Sequence, residues 1–155
     1  MHYSRKRMTL CLTLLMLLLT VIWGNSLLHG ELSKKVSGFF GWLVNGLLPG
    51  ANAGSGEGGH GLLRKLGHLT EFCLLGLNLS WLVRMTLNKK WQHLCLPLLG
   101  GIAVACVDET IQYFIPGRAC RITDVGIDAL GCTLGIVLIT LIQTIKNQKM
   151  KEKTQ

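Results

Sequence analysis

The sequence predicts an all-α integral membrane protein: a bundle of four transmembrane helices with an extra interfacial amphipathic helix in the first outer loop. Three observations support this fold class. The 155-residue chain is 49% hydrophobic, its mean hydropathy is +0.41, and only 15% of its residues are charged, against roughly 25% in soluble domains. The apolar residues form long runs, and basic residues lie at the ends of those runs. We expect residues 1–155 to form a single domain.

Four segments are long and apolar enough to cross a bilayer, whose hydrocarbon core of about 30 Å requires roughly 17–25 helical residues. The predicted spans are residues 8–28, 66–83, 91–107 and 124–145. Pro97 and the Gly100-Gly101 pair interrupt the third span, where we expect neighbouring helices to satisfy the freed backbone groups. The first span could instead be a secretory signal peptide, because Arg5-Lys6-Arg7 precedes a Leu-rich stretch. The cleavage-like sequence Ala51-Asn52-Ala53 lies too far downstream, which favours an uncleaved helix.

The distribution of Lys and Arg sets the expected orientation, since short cytoplasmic segments of membrane proteins carry an excess of both. If the N-terminus is cytoplasmic, ten of the 16 lie in inner segments and six in outer segments. We therefore expect a multi-pass protein of the bacterial cytoplasmic membrane, with its N-terminus and C-terminus in the cytoplasm. Nucleic acid is not an expected partner, because the basic residues form no stripe with interleaved aromatic residues.

The first outer segment contains a further predicted helix. Its apolar residues recur at the i, i+3, i+4, i+7 spacing of one helical face: Val36, Phe39, Phe40, Leu43, Val44 and Leu47. Such a helix either lies on the outer leaflet or caps the bundle, and the pattern fits both positions. The Gly-rich stretch Gly50–Gly61 is expected to be a flexible loop with a solvated His60.

Polar and ionisable residues of three predicted spans lie at one depth, on the outer side. They are Arg64, Lys65, His68 and Glu71 where the chain enters the second span, Asp108, Glu109 and Gln112 at the outer end of the third, and Asp124 and Asp128 at the start of the fourth, with Arg118 and Arg121 in the loop between the last two. A charge at mid-membrane costs roughly 2.5–3.5 kcal/mol on insertion scales, so such residues usually pair inside the protein.

Helical spacing predicts that these side chains point into the bundle together. The sets that share a helical face are Arg64, His68 and Glu71; Asp108 and Gln112; and Asp124 and Asp128. The last face continues through Gly131 and Gly135, a GxxxG pair that lets two helices approach closely. We therefore expect one polar cluster built from three helices.

Three ordered motifs also carry a resemblance to a known family. They are Arg64-Lys65-Leu-Gly-His68-Leu-Thr-Glu71-Phe72, Asp108-Glu109-Thr-Ile-Gln112-Tyr-Phe-Ile-Pro116-Gly117-Arg118 and Asp124-Val-Gly-Ile-Asp128-Ala-Leu-Gly131-Cys-Thr-Leu-Gly135. Residues 64–140 resemble the VanZ-like family through its KxxHxxEF, DExxQxFxPGR and DxxxNxxGxxxG patterns. Asp128 departs from the last pattern, because members commonly have Asn there. The resemblance implies a small polytopic bacterial membrane protein, in a family whose name-giving member is associated with resistance to teicoplanin, a glycopeptide that carries a lipid chain.

The leading functional hypothesis is a site that binds or modifies an anionic component of the cell envelope, either a phospholipid head group or an isoprenoid-linked wall precursor. The candidate ligand-binding residues are Arg64, Lys65, Gln112, Arg118, Asp124 and Asp128. The candidates for proton transfer are His68, Glu71, Asp108 and Glu109. The Pro116-Gly117 turn would aim the Arg118 guanidinium at such a ligand. No nucleophile is evident, so catalysis stays open.

Two alternatives stand beside this hypothesis. The first is a non-enzymatic accessory or scaffold protein whose polar cluster is a structural salt-bridge network, with Arg64 and Arg118 neutralising carboxylates. The second is a divalent-metal-dependent membrane hydrolase, although no cofactor is predicted and the six cysteines show no metal-like spacing. One His among several carboxylates suits Mg²⁺, Mn²⁺ or Ca²⁺ better than Zn²⁺. A transport role would require a homodimer, because four spans are few for a transporter.

Overall fold

The computed structural model describes residues 5–27, 30–47, 56–116 and 121–152. All regular structure in these ranges is helical. The elements are α1 (Arg5–Ser26), α2 (Gly30–Leu47), α3 (Gly56–Thr86), α4 (Gln92–Tyr113) and α5 (Ile122–Glu152). The all-α prediction is therefore confirmed for the described part of the chain.

Four segments of these helices are long and apolar enough to cross a membrane: Arg5–Ser26, Leu63–Thr86, Gln92–Tyr113 and Ile122–Glu152. The predicted multi-pass membrane protein with four spanning helices is confirmed. A helix is the required form for a single span, because lipid offers no partner to backbone N–H and C=O groups. On α1, Leu10, Met16 and Leu17 remain exposed, as expected for side chains that face lipid.

Helices α4 and α5 extend beyond the predicted spans for different reasons. The third predicted span ended at residue 107, but α4 continues to Tyr113 because Asp108, Glu109 and Gln112 are buried inside the bundle. The 31 residues of α5 give a helix about 46 Å long at 1.5 Å per residue, which exceeds the roughly 30 Å of hydrocarbon. The Lys-bearing last turns of α5 therefore extend outside the hydrocarbon.

The segment between α1 and α3 contains the predicted extra helix, and α2 packs against α3. Phe39, Trp42 and Leu47 on α2 are exposed, and the rings of Phe39 and Trp42 lie 6.0 Å apart. The placement of α2 on the outer leaflet stays a prediction. The loop prediction for Gly50–Gly61 is wrong at its end, because α3 begins at Gly56. Extending an existing helix requires no new nucleation, which offsets the low helical propensity of glycine. Residues 48–55 and the side chain of His60 lie outside the described set.

Glycines bring α3 and α5 into backbone contact. A Cβ on Gly131 would lie 2.5 Å from the carbonyl oxygen of Leu69, and one on Gly135 would collide with the carbonyl oxygen of Cys73. A Cβ on Gly76 of α3 would in turn collide with the carbonyl oxygen of Cys132. The close approach predicted from the GxxxG pair is confirmed, and it fixes the face of α5 that carries Asp124 and Asp128 against α3.

Pro97 lies inside α4 without breaking it. Because proline has no N–H, the carbonyl of His93 loses its usual helical partner. The buried hydroxyl of Ser80 on α3 donates to that carbonyl over 3.4 Å. The expectation that a neighbouring helix satisfies this group is confirmed.

The chain direction brings four helix ends to one end of the bundle. The C-terminal turns of α1 and α4 meet the N-terminal parts of the membrane-crossing segments of α3 and α5 there, and we call this the polar end. Beneath it lies an apolar core of Ile22, Phe72, Leu75 and Ala105. At the opposite end, Arg84 of α3 donates to Gln143 (3.1 Å) and Thr140 (2.6 Å) of α5. The pair α3 and α5 is thus joined at both ends and forms the frame of the site.

Candidate ligand-binding site

The polar end collects the side chains that the sequence predicts to cluster. His68 and Glu71 come from α3, Asp108 and Gln112 from α4, and Asp128 from α5. Asp108 and Asp128 are fully buried, and His68 is 6% exposed. Burial of several ionisable groups at one point is costly in a membrane protein, so each must be stabilised by its neighbours.

Asp108 is held by hydrogen bonds from two helices. The Ser26 hydroxyl at the end of α1 donates to Asp108 Oδ1 over 2.5 Å. The Gln112 amide nitrogen, one turn further along α4, donates to Asp108 Oδ2 over 2.7 Å and to Ser26 Oγ over 3.1 Å. Both carboxylate oxygens therefore have a donor, and the orientation of this side chain is fixed.

His68 lies between two carboxylates from different helices. Its Nδ1 is 3.5 Å from Asp128 Oδ1 and 3.8 Å from Asp108 Oδ2. The imidazole stacks on Phe72, with ring centroids 6.5 Å apart and an angle of 12° between the planes. The stack and the close contact of α3 with α5 together hold Nδ1 directed at the carboxylates.

A second charged pair forms the rim of the site. Arg64 Nη2 donates to Asp124 Oδ2 over 3.2 Å, and Thr123 donates to the other oxygen of Asp124 over 3.4 Å. The Arg64 side chain remains 27% exposed, and Lys65 beside it is exposed. These two cations line one narrow cleft between α3 and α5 together with His68 and Asp128, and the cleft leaves no room for a water molecule.

The two glutamates of the polar end each accept a hydrogen bond from another part of the chain. Glu71 Oε1 accepts a hydrogen bond from Asn25 of α1 over 3.5 Å, at the limit for such a bond. Glu109 Oε2 accepts from the backbone N–H of Arg121 over 2.7 Å and so ties α4 to the start of α5. Arg118, the candidate in the Pro-Gly turn, lies outside the described residues.

Several buried polar atoms have no hydrogen-bond partner among the described residues. They are Trp23 Nε1, His68 Nδ1, Glu71 Oε2, Asn78 Oδ1, Glu109 Oε1, Gln112 Oε1 and both carboxylate oxygens of Asp128. All except Asn78 Oδ1 belong to residues of the polar end. An unpaired buried polar group is destabilising by roughly 1–3 kcal/mol, so a concentration of them suggests a place where something else binds.

Sequence reasoning missed the contribution of the first helix. Asn25 and Ser26 reach Glu71 and Asp108, so four helices build the site where three were expected. The available signal was the polar pair that closes the first apolar run, directly after Trp23-Gly24.

One of three comparisons with known proteins finds a match for this chain. A family model described as VanZ/LLP1 matches residues 9–143. The chain belongs to the VanZ-like family. The matched range of this VanZ-like protein contains Ser26, His68, Asp108 and Asp128, and therefore the centre of the polar end. No curated protein and no solved structure matches the chain in the other two comparisons.

The chemistry available in this VanZ-like protein is ion binding and proton transfer. The Ser26 hydroxyl is directed to Asp108, and no hydrogen bond joins it to His68 among the described residues. Thr110 on α4 donates to the carbonyl of Cys106 on its own helix. A nucleophile requires a base within hydrogen-bond reach. Thr110 has no such contact among the described residues, and the base that the Ser26 hydroxyl contacts is the Asp108 carboxylate.

Proposed function

We propose that this VanZ-like protein binds the anionic head group of an envelope lipid at the polar end, on the outer face of the bacterial cytoplasmic membrane. The ligand is a phosphate carried by a lipid, either a phospholipid or an isoprenoid-linked wall precursor. Both lipids present the same chemistry to the protein. Their different masses allow one experiment to distinguish them.

The charge distribution of the cleft is the observation that carries the proposal. Arg64 uses one N–H on Asp124, and its guanidinium has further donors for a phosphate oxygen. Lys65 adds a second exposed cation at the same rim. Two cations beside one paired carboxylate leave the rim positive, and in the proposed orientation the rim would lie at the level of the lipid head groups.

The orientation within the membrane is part of the proposal. Basic residues near the opposite end of the bundle, including Arg5, Arg7, Lys89, Lys90 and Lys146, outnumber those at the polar end. The excess of Lys and Arg in cytoplasmic segments then directs the polar end outward. Both termini of the chain would lie in the cytoplasm.

A structural network is the competing explanation for the rim. If Arg64 serves only to join α3 to α5, removing it should loosen the bundle and leave lipid binding per folded molecule unchanged. Arg84 provides a matched control, because it also joins α3 to α5 but lies at the opposite end. If the Arg64 variant retains less lipid and the Arg84 variant does not, separation of α3 from α5 alone cannot explain the loss.

The test is to purify the full chain from bacterial membranes in mild detergent and to quantify the retained lipids by mass spectrometry. We expect the wild type and Arg84→Gln to retain the same anionic lipid. Arg64→Gln should retain roughly tenfold to 100-fold less, the equivalent of the 1.5–3 kcal/mol of a hydrogen bond to a charged group. Equal retention by Arg64→Gln, with only a lowered melting temperature, would contradict the proposal in favour of the structural network.

A change in teicoplanin susceptibility is an expected consequence of the proposal. Teicoplanin carries a lipid chain and acts at the outer face, where the proposed site would lie. The measurement is the minimum inhibitory concentration in a susceptible host that expresses the wild type, Arg64→Gln or Arg84→Gln. Only the variants that retain the lipid should change the minimum inhibitory concentration of teicoplanin.

A further inference from the structure

The centre of the polar end has the composition and spacing of a cation site. One nitrogen of His68 and one carboxylate oxygen each from Asp108 and Asp128 all lie within 4.8 Å of one another. The three side chains come from α3, α4 and α5, so the fold itself assembles them. Each is buried, which removes the competition of bulk water for a bound ion.

An independent observation indicates that a ligand is needed there. Asp128 is fully buried, and apart from the 3.5 Å approach of His68 Nδ1 to its Oδ1, neither of its oxygens has a hydrogen-bond partner among the described residues. His68 Nδ1, which is directed at both aspartates, has none either. Asp108 differs, because its two oxygens are held by Ser26 and Gln112. Such support of a ligating carboxylate is usual in metal sites, where outer partners fix the orientation of the ligands.

The other carboxylates of the polar end each accept a hydrogen bond elsewhere, Glu71 from Asn25, whereas Glu71 Oε2 and Glu109 Oε1 have no partner among the described residues. Asp124 pairs with Arg64 at the rim, and Glu109 accepts from the backbone of Arg121. Within the described residues, the only positive charge that approaches both Asp108 and Asp128 within ion-pair distance would be a protonated His68. Two buried carboxylates and one imidazole therefore leave a net negative charge.

We propose that His68, Asp108 and Asp128 bind a divalent cation of the Mg²⁺ or Mn²⁺ class. Adjacent ligands of an octahedral ion with bonds of about 2.1 Å lie roughly 3.0 Å apart, and opposite ones roughly 4.2 Å apart. The separations of 3.5 and 3.8 Å from His68 Nδ1 fall between these values. Small side-chain movements suffice to bring the three atoms into such a coordination sphere. Carboxylate oxygens suit both ions, and an imidazole ligand favours Mn²⁺ over Mg²⁺.

The cation would leave coordination positions for water or for a ligand. Ions of this class commonly combine one or two protein carboxylates with phosphate oxygens. Arg64 and Lys65 line the same narrow cleft as His68 and Asp128, so a phosphate held at the rim would lie on the ion's side of the bundle. Cation binding does not depend on the proposed head-group binding, and it can be measured without lipid phosphate.

The test uses the full chain in an uncharged detergent, dialysed first against a chelator and then against Mn²⁺. We expect about one bound Mn²⁺ per chain by elemental analysis, with Mg²⁺ competing. Asp128→Asn, which keeps the side-chain shape, should weaken Mn²⁺ binding at least tenfold. Glu152→Gln provides the matched control, because it removes a carboxylate from the exposed end of the same helix and should bind as the wild type does.

A spectroscopic measurement keeps the test decisive if Asp128→Asn folds poorly. Electron spin echo modulation of Mn²⁺ bound to the wild type should show the coupling of a single imidazole nitrogen. Wild-type protein that binds no Mn²⁺, or bound Mn²⁺ without nitrogen coupling, would overturn the proposal. The first of these outcomes would instead assign the cluster to a protonated His68 held between two carboxylates.

Discussion

Gly131 provides the sharpest test of how α5 is positioned against α3. In Gly131→Ala the new Cβ would lie 2.5 Å from the Leu69 carbonyl oxygen, whereas an ordinary contact begins at 3.4 Å. The partner is backbone, which cannot turn aside, so α5 must retreat by about 1 Å in a close-packed interface. Asp128 lies one turn before Gly131, and Leu69 follows His68. The retreat should therefore lengthen the 3.5 Å approach of His68 to Asp128 beyond the roughly 4 Å limit of an ion pair.

The expected loss of stability is about 1–3 kcal/mol, the usual effect of forcing an extra carbon into a packed interior. Gly126→Ala is the matched control on the same helix, because nothing lies within 4 Å of a Cβ added there. That variant should gain up to about 1 kcal/mol from improved helical propensity. Unfolding by a denaturing detergent, followed by tryptophan fluorescence, compares the two. Equal or greater stability of Gly131→Ala would refute the packing argument.

Three further predictions test separate contacts. Ser26→Ala should lower the free energy of unfolding by about 1.5–3 kcal/mol because Asp108 loses a hydrogen-bond donor. The Thr20 hydroxyl donates to the Met16 carbonyl of its own helix, so Thr20→Ala should change that free energy by no more than about 0.5 kcal/mol. Equal effects of the two substitutions would contradict the role of Ser26. Ser80→Ala should be less destabilising in a Pro97→Ala background, because the His93 carbonyl there regains a backbone donor within its own helix. The double-mutant cycle should show a coupling energy of about 0.5 kcal/mol or more. Additive effects of the two substitutions would show that the Ser80 hydroxyl does not stabilise this carbonyl. In a cysteine-free background, a single cysteine introduced at Ser55 should react with a membrane-impermeant thiol reagent in intact cells, and one introduced at Gln148 should not. The reverse labelling pattern would show that the orientation is opposite to the one proposed.

The sequence predicted much of this site because helical periodicity is a local property. Arg64, His68 and Glu71 share a face at any tertiary arrangement, and the Gly131–Gly135 pair indicates which face of α5 packs closely. The contribution of Ser26 depends instead on how α1 lies against α4, which no local pattern contains. For the same reason the sequence grouped Glu109 with His68, whereas the structure directs it to the backbone of Arg121.

The ends of the helices were harder to predict than their existence. Asp108 and Glu109 look like the end of an apolar span when only hydropathy is considered. They continue α4 because other helices supply their polar partners. The glycines of residues 56–61 were predicted as a loop from their low helical propensity alone. They are helical in the structure because they extend the helix that follows them.

The most direct test of the central claim is an electron cryo-microscopy map of the protein, enlarged by a bound antibody fragment, in nanodiscs that contain an anionic phospholipid. We expect density of phosphate size against Arg64 and Lys65, with His68, Asp108 and Asp128 meeting directly beneath it. A map without such density, in which both cations are directed away from any head group, would contradict the proposal.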